Sequence, residues 1–327
     1  VLPSAPWRKG FLTVDVKTPP GRSVFPPQSS RPMLRPMLPR MLKPRPAGCA
    51  VLARGLCTAS RPTTHFGYRT VDEADKERLV GNVFDSVASN YDVMNDLMSA
   101  GVHRAWKDSF VRMLGVRAQS SANLQMLDIA GGTGDIAFRI ADELAAHPVS
   151  SQSADPDERA RVVVSDINKQ MLDEGQRRAE KLSPSRTGGW PKFEWVVADA
   201  MKLPFDDESF DVYTIAFGIR NVTRIPDALA EAHRVLRPGG RFMCLEFSQV
   251  NNPLLREAYK QYSFNVIPKI GRLVANDAAS YQYLVESIQK FPDQESFAGL
   301  IREAGFRHVS HTSLTGGIVA IHSGIKS

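Results

Sequence analysis

Short apolar runs alternate with amphipathic segments between residues 124 and 247, and this alternation constrains the fold more than any other feature of the chain. Strands are predicted at residues 124–130, 161–165, 193–198, 211–217 and 241–247, and helices at residues 135–146, 169–182 and 225–236. A repeated strand–helix pattern is typical of a mostly parallel sheet with helices on both faces. The sequence therefore predicts a doubly wound α/β sheet, which binds ligands beyond the carboxyl ends of its strands.

The residues before this alternation have a helical period instead. Val80, Val83 and Phe84 recur at three- and four-residue spacings within residues 77–91. We therefore expect helices over residues 66–123, which would form a helical cap on the N-terminal side of the sheet.

A polar segment interrupts the alternation once, at residues 147–160. Its sequence, HPVSSQSADPDERA, is rich in Ser, Asp and Pro and has no hydrophobic period. This composition predicts a surface loop or an inserted segment within a single domain that spans residues 64–327.

The first predicted strand is joined to the helix after it by a glycine-rich segment, LDIAGGTGD, at residues 127–135. Gly131, Gly132 and Gly134 permit a sharp turn and let the backbone approach a ligand closely. With Thr133 they predict a ligand-binding turn, although a glycine-rich turn without a ligand fits the same residues.

Two acids follow the next two strands. Asp166 comes 32 residues after Gly134, or 18 without the 14-residue insert, which is close to the ~20 expected of an acid that binds ribose hydroxyls. Asp199 is followed by the small Ala200, a pair that suits the amino group and the ring of adenine. Each acid could instead cap a helix, but the glycine turn and both acids together favour an adenosine ligand.

The spacing of the glycines separates two kinds of adenosine cofactor. The turn lacks the G-x-G-x-x-G spacing that a dinucleotide pyrophosphate needs, whereas S-adenosylmethionine has no pyrophosphate. Residues 128–134 resemble the first motif of class I methyltransferases, with Ala130 at the place of the usual first glycine. We therefore expect S-adenosylmethionine to be bound by Gly131, Gly132, Thr133, Gly134, Asp166, Asp199 and Ala200.

The first 65 residues differ in composition from the rest of the chain. They hold 11 of the 41 lysines and arginines, one of the 35 acids and 12 of the 22 prolines. An arginine-rich, acid-poor segment is typical of a mitochondrial transit peptide, and we place this leader at residues 1–63; a disordered basic tail without a targeting role is the alternative. The remaining 30 basic and 34 acidic residues give no positive excess, so no nucleic-acid partner is expected.

The cysteine count and the apolar runs exclude two further classes of protein. Three cysteines cannot form a disulfide framework or a four-cysteine zinc site, and no metal is expected. No apolar run reaches the ~18 residues of a transmembrane helix.

Longer segments carry a more specific resemblance. Residues 91–106, YDVMNDLMSAGVHRAW, and residues 234–248, RVLRPGGRFMCLEFS, resemble two signatures of the ubiquinone/menaquinone biosynthesis C-methyltransferases. Residues 217–222 and 281–287 also resemble segments of that family. The resemblance extends over about residues 64–327, and the leader and the insert are similar to its mitochondrial branch.

This resemblance implies a Rossmann-like class I methyltransferase fold and transfer of a methyl group to a ring carbon of a polyprenyl benzoquinol. It further implies a protein that lies on the matrix side of the mitochondrial inner membrane, in a complex with other ubiquinone-biosynthesis proteins. A homodimer is a further option, because the sequence leaves the oligomeric state open.

Four residues are candidates for the chemistry on the ring. Arg220 and Asn221 follow the fourth strand, at the edge where a substrate should lie. Arg220 is a poor base and could hold a phenolate oxygen or a water, or form a salt bridge, while Asn221 could orient a ring hydroxyl. His103 has a suitable pKa for a base but could instead be hydrogen-bonded within the cap, and Tyr91 belongs to the same cap.

Some alternatives stay open at this point. Residues 253–275 are apolar with interleaved basic residues, which suits either an amphipathic lid that touches a membrane surface or an ordinary pair of core helices. The competing functions are a scaffold without catalytic activity and a methyltransferase for another lipophilic phenol. Intact cofactor residues argue against the scaffold.

Overall fold

The computed structural model describes residues 62–87, 95–96, 99, 101–115, 123–146, 160–182, 190–266, 268–269 and 278–327. Residues 1–61 of the predicted leader, residues 147–159 of the predicted insert and Tyr91 lie outside these residues. In the part of the chain that is described, no helix is both long enough and apolar enough to cross a membrane.

Strands and helices are numbered here in chain order. The strands are β1 (Thr63–Phe66), β2 (Arg69–Asp72), β3 (Gln125–Ile129), β4 (Arg161–Asp166), β5 (Lys192–Val197), β6 (Phe210–Ala216), β7 (Leu236–Phe247), β8 (Arg307–Leu314) and β9 (Val319–Ile325). The helices are α1 (Glu73–Val87), α2 (His103–Leu114), α3 (Asp135–Ala146), α4 (Lys169–Leu182), α5 (Ile225–Val235), α6 (Pro253–Asn265), α7 (Ala278–Lys290) and α8 (Gln294–Glu303).

Seven strands form one sheet in the order β5-β4-β3-β6-β7-β9-β8. Strands β3 to β7 are parallel to one another, whereas β9 is antiparallel to both β7 and β8. The order reverses at β3, because β4 and β5 lie on one side of it and β6 on the other. This arrangement confirms the predicted doubly wound sheet, with its ligand-binding edge at the carboxyl ends of the parallel strands.

The central strands β3, β4 and β6 are buried on both faces of the sheet. Successive side chains of a strand point to opposite sides, so each of these strands contributes to two cores. Met126 packs into a cluster with Phe110 of α2, while its neighbour Leu127 packs into a second cluster with Leu229 of α5. The near-continuous apolar composition of β3 and β4 follows from this double burial.

The N-terminal part differs from the prediction of helices over residues 66–123. Residues 63–72 form a β-hairpin, β1–β2, whose turn contains Gly67 with a φ of 58°, and α1 begins only at Glu73. Thr70 and Val71 are β-branched and favour a strand. The strand is short and is followed directly by α1, so the helical spacing of the apolar residues in α1 predicts a helix here as well. Helices α1 and α2 confirm the remainder of the predicted cap within the described residues.

Residues 253–265 form a helix, α6, as the sequence suggested. Asn252 caps this helix by accepting hydrogen bonds from the backbone N–H groups of residues 254 and 255. Tyr259 packs against the core, whereas Leu254 is 85% exposed. The helix therefore lies on the surface with one face packed, and residues 270–275 of the same segment lie outside the described residues.

Candidate active site

A cleft lies at the carboxyl ends of the parallel strands, with an empty volume of about 1220 Å³ that includes space open to solvent. Its walls come from the ends of β3, β4 and β6, from the residues after β5, and from the cap helices α1 and α2. The cleft is lined by six of the seven predicted cofactor residues, namely Gly131, Gly132, Thr133, Asp166, Asp199 and Ala200.

The turn between β3 and α3 needs glycine at two positions. Gly132 has a φ of 52°, and its N–H donates to Asp166 Oδ2 at 3.0 Å. A Cβ atom on Gly131 would lie 2.5 Å from Val164 Cγ1, so a side chain there would displace the neighbouring strand. The turn is therefore fixed against β4, because the N–H of Gly131 donates to the carbonyl of Ser165 and that of Gly132 to Asp166.

Gly134 differs from the other predicted cofactor residues, because it does not line the cleft. A Cβ atom at this position would lie 2.9 Å from both Phe138 and Trp195. The space beside Gly134 is therefore occupied by an aromatic cluster that packs α3 against β5.

Asp166, the last residue of β4, is held by the backbone on both carboxylate oxygens. Oδ1 accepts from the N–H of Asn168 at 2.9 Å, and Oδ2 accepts from Gly132. Burial raises the pKa of Asp166 to about 6 in spite of these hydrogen bonds. Each oxygen keeps a second lone pair, so the carboxylate can still accept from both hydroxyls of a ribose.

Asp199 lies beyond β5 on the same edge of the sheet. Its Oδ1 accepts from the N–H of Met201 at 2.9 Å, in a tight turn that also places Ala200 in the wall of the cleft. Ile167 contributes an apolar surface nearby and is 41% exposed. An acceptor between apolar walls suits the amino group and the faces of an adenine ring.

Asp128 is a site residue that the predicted set did not include. It is 1% exposed, and its Oδ1 accepts from the Thr214 hydroxyl at 2.7 Å, whereas its Oδ2 has no hydrogen-bond partner among the described residues. Burial is the main cause that raises the pKa of Asp128 to about 7. A bound ligand with donor groups would satisfy this buried acceptor in the cleft wall. Asp128 could have been included from the sequence, because it is the first residue of the glycine motif at residues 128–134.

Lys107 of α2 is a second residue missing from the predicted set. It is 4% exposed, lines the cleft and forms an ion pair of 2.7 Å with Asp135 at the start of α3. Although burial opposes the effect, Lys107 and Arg139 together hold the pKa of Asp135 below its usual value. The cap is thus tied to the glycine turn by this ion pair. In the sequence, Lys107 comes directly after the first signature, which ends at Trp106.

The structure separates the two predicted residues that follow β6. Both belong to a short 3-10 turn, Ile219–Asn221, but only Asn221 lines the cleft. The guanidinium of Arg220 is buried and forms an ion pair of 2.9 Å with Glu246 at the end of β7, and it also donates to the carbonyl of Phe217. Burial raises the pKa of Glu246 although Arg220 opposes the change. The salt bridge that the sequence left open for Arg220 is present.

His103 is also buried away from the cleft lining. Its Nε2 lies 2.8 Å from Asp96 Oδ1, which is the hydrogen bond within the cap that the sequence left open. Burial lowers the pKa of His103 in spite of this contact. Nδ1 has no partner among the described residues.

The residues around the cleft fit S-adenosylmethionine. The orphaned acceptor of Asp128 matches the donor groups of its amino-acid end, while Asp166 and Asp199 suit its ribose and adenine. In the described part of the chain, no group of three or more His, Cys, Asp or Glu side chains could hold a metal ion. The fold and the site together define a class I methyltransferase.

Comparison with known proteins gives the family. Residues 71–326 match the model of the ubiE/COQ5 methyltransferase family, and the chain belongs to this family. It is a methyltransferase, and its methyl donor is S-adenosylmethionine.

Close relatives come from bacteria and from animals. The ubiquinone/menaquinone biosynthesis C-methyltransferase UbiE of Dinoroseobacter shibae is 58% identical over 264 residues, which cover 81% of this chain and 97% of that protein. The mitochondrial 2-methoxy-6-polyprenyl-1,4-benzoquinol methylase of Danio rerio is 52% identical over 287 residues, 81% of this chain and 84% of that protein. The human protein of the same name is 51% identical over 284 residues, 80% of this chain and 84% of that protein.

Proposed function

We propose that this chain transfers a methyl group from S-adenosylmethionine to a ring carbon of 2-methoxy-6-polyprenyl-1,4-benzoquinol, in ubiquinone biosynthesis. The observation that carries the proposal is that one cleft combines the glycine turn, both acids and Asn221. The names of the animal relatives, which are 51% and 52% identical, support the choice of substrate.

The chemistry sets the tasks of the residues. When bound, S-adenosylmethionine supplies an electrophilic methyl group. A quinol carbon is a modest nucleophile, and loss of the proton from a neighbouring ring hydroxyl makes it more reactive. The protein must therefore bind the ring close to the donor and stabilise negative charge on the ring oxygen.

The cofactor residues keep their predicted roles in this proposal. Asp166 accepts from the ribose hydroxyls, Asp199 accepts from the adenine amino group, and Ala200 leaves space for the ring. The turn residues Gly131, Gly132 and Thr133 bring the backbone to the amino-acid end of the cofactor, and Gly134, with a φ of 83°, completes the turn behind them.

Asn221 is the proposed contact to the substrate, because it lines the same cleft as the cofactor residues and follows the end of β6. Its amide donates to the ring oxygen and stabilises the phenolate. Arg220 fixes the same turn from the side of the protein interior. Its ion-pair partner Glu246 also accepts hydrogen bonds from the backbone N–H groups of Arg220 and Phe247. Tyr91 remains a proposed contribution of the cap to the reaction, whereas His103, buried away from the cleft lining, is proposed to hold the cap through its hydrogen bond to Asp96.

Methyl transfer to the reduced quinol tests the proposal directly. Purified protein is incubated with S-adenosylmethionine and a short-chain 2-methoxy-6-prenyl-1,4-benzoquinol, and the product is measured by mass spectrometry. We expect one added methyl group on a ring carbon, and Asn221→Ala should lower kcat roughly a hundredfold while cofactor affinity stays unchanged.

Two results would contradict the proposal. Tight cofactor binding without turnover on the quinol would indicate the scaffold function. Faster methylation of an unrelated lipophilic phenol would indicate another substrate.

The location and the partners are part of the same proposal. We place the mature protein, residues 64–327, in the mitochondrial matrix on the inner membrane, as a homodimer within a complex of ubiquinone-biosynthesis proteins. Mitochondrial relatives and the basic leader support this location. The exposed Leu254 and Leu255 of α6 support contact with a membrane surface.

A further inference from the structure

Tyr283 of α7 makes a hydrogen bond to the residue that we assign to the substrate. Its hydroxyl donates to Asn221 Oδ1 at 2.9 Å, and the side chain is buried, with the residue only 6% exposed. Tyr283 itself does not line the cleft. It therefore contacts Asn221 from the side of the protein interior.

This hydrogen bond favours the orientation of the Asn221 amide in which Oδ1 faces Tyr283, because a phenol hydroxyl donates more strongly than it accepts. An asparagine amide has an acceptor on one side and a donor on the other, and the two can exchange by a half-turn about χ2. With Oδ1 accepting from Tyr283, Nδ2 lies on the other side and has no acceptor among the described residues. The opposite orientation would present a carbonyl oxygen to the cleft, which would repel a phenolate.

The Tyr283 ring is held in place independently of this hydrogen bond. Its ring stacks on Phe66 of the N-terminal hairpin with a centroid distance of 4.1 Å and an interplanar angle of 16°. Burial raises the pKa of Tyr283 to about 12, so its hydroxyl keeps its proton and remains a donor at neutral pH. A fixed donor in a fixed position can orient the amide before the substrate binds.

We propose that Tyr283 is a positioning residue that orients the Asn221 amide so that its NH₂ group faces the ring oxygen of the substrate. The proposal rests on the proposed function, because it requires Asn221 to donate to the substrate. It also gives the hairpin β1–β2 a role in the reaction, through the stacking of Phe66 on Tyr283.

Tyr283→Phe tests this with a minimal change, because the ring and its stacking on Phe66 are retained. We expect kcat to fall about tenfold, which is less than for loss of the Asn221 donor itself, because the amide of the variant still spends part of its time in the productive orientation. The KM values for the quinol and for S-adenosylmethionine should stay within about twofold. Thermal unfolding of both proteins checks that the fold is intact.

A double-mutant cycle with Asn221→Ala separates positioning from a merely structural role. If Tyr283 acts through Asn221, Tyr283→Phe lowers kcat in the wild-type background and has no further effect in the Asn221→Ala background. Tyr68→Phe is the matched control, because Tyr68 belongs to the same hairpin region but its ring is exposed and lies against Phe264 and Lys290. This control should keep the wild-type kcat.

The outcomes distinguish the two proposals. An equal loss of kcat in both backgrounds, or a Tyr283→Phe variant with wild-type kcat, would overturn the positioning role and leave the function intact. Wild-type turnover by Asn221→Ala would overturn the role of Asn221 and the positioning role together. Absence of methyl transfer to the quinol by the wild-type protein would overturn the proposed function.

Discussion

Asp128 and Asp166 are buried acids whose pKa values lie near 7 and 6, well above the usual range of a carboxyl group. Because the folded state raises these pKa values, the ionised carboxylates oppose folding once the pH exceeds the pKa of the unfolded chain. The fold therefore maintains two unfavourable charges at the edge of the cleft. A ligand with hydroxyl and ammonium donors would offset that cost, which is a physical reason for their place in a binding site.

The titration of Asp166 gives a prediction about cofactor affinity. The ionised carboxylate accepts from both ribose hydroxyls, so protonation should weaken binding. We expect the Kd for S-adenosylmethionine to be steady at alkaline pH and to rise as the pH falls below about 6, approaching tenfold per pH unit. Titration calorimetry between about pH 5 and pH 8 measures this dependence.

Asp166→Asn should weaken the affinity by about 2–3 kcal/mol at neutral pH and remove the step near pH 6. Asp173→Asn is the control, since Asp173 lies on α4 in an exposed ion pair with Lys169. Any remaining step near pH 7 would come from Asp128. An unchanged affinity in Asp166→Asn would contradict the assignment to the ribose.

At the scale of elements, the N-terminal segment holds the loop that carries Asn221. Lys76 Nζ donates to the carbonyl of Val222 at 2.9 Å, and Arg224 forms an ion pair of 2.8 Å with Glu73. The segment after β6 is thus fixed from the side of the cap as well as from its own sheet. The position of α1 in the cleft wall and the position of Asn221 are therefore coupled through these contacts.

The turn between β3 and α3 gives a prediction for an element. Gly131→Ala would place a Cβ atom 2.5 Å from Val164 Cγ1 and 3.0 Å from Asp128 Oδ2. We expect the free energy of unfolding to fall by about 1–3 kcal/mol and cofactor binding to be lost, because the turn must shift away from β4. Chemical denaturation and calorimetry measure the two effects.

Gly299→Ala is the matched control for Gly131→Ala. Gly299 lies within α8, and nothing lies within 4 Å of a Cβ atom built there. Alanine should raise the free energy of unfolding by about 0.5–1 kcal/mol, because it restricts the unfolded chain and favours a helix. Equal stability of the two variants would show that the turn tolerates a side chain.

At the scale of the whole molecule, the charge is divided unevenly along the chain. The basic excess lies in the first 65 residues, whereas the remainder has slightly more acids than bases. A fusion of residues 1–65 to a fluorescent reporter should therefore enter mitochondria, because a basic, acid-poor leader is attracted by the import machinery. Imaging with a mitochondrial dye measures the location.

A fusion in which Arg31, Arg35, Arg40 and Arg45 are replaced by glutamate is the control, and it should remain in the cytosol. A cytosolic signal from the unaltered fusion would refute the leader and leave the enzyme assignment unaffected.

The parallel part of the sheet and most of the cofactor edge can be predicted from the sequence alone. Strands such as β3 and β4 are short apolar runs because they are buried on both faces, and this burial is visible in composition alone. Asp166 and Asp199 follow their strands directly, so the parallel topology brings them to one edge without further information.

Other features required the tertiary structure, because they depend on residues that are distant in the chain. The hairpin of residues 63–72 is stabilised by the stacking of Phe66 on Tyr283, which is more than 200 residues away in the chain. The local sequence does not indicate this contact. The pairing of Arg220 with Glu246 and the contact between Asn221 and Tyr283 likewise join strands and helices that no spacing relates. Sequence placed these side chains at the correct edge of the sheet, but only the packing of α7 and β7 decided which of them faces the cleft.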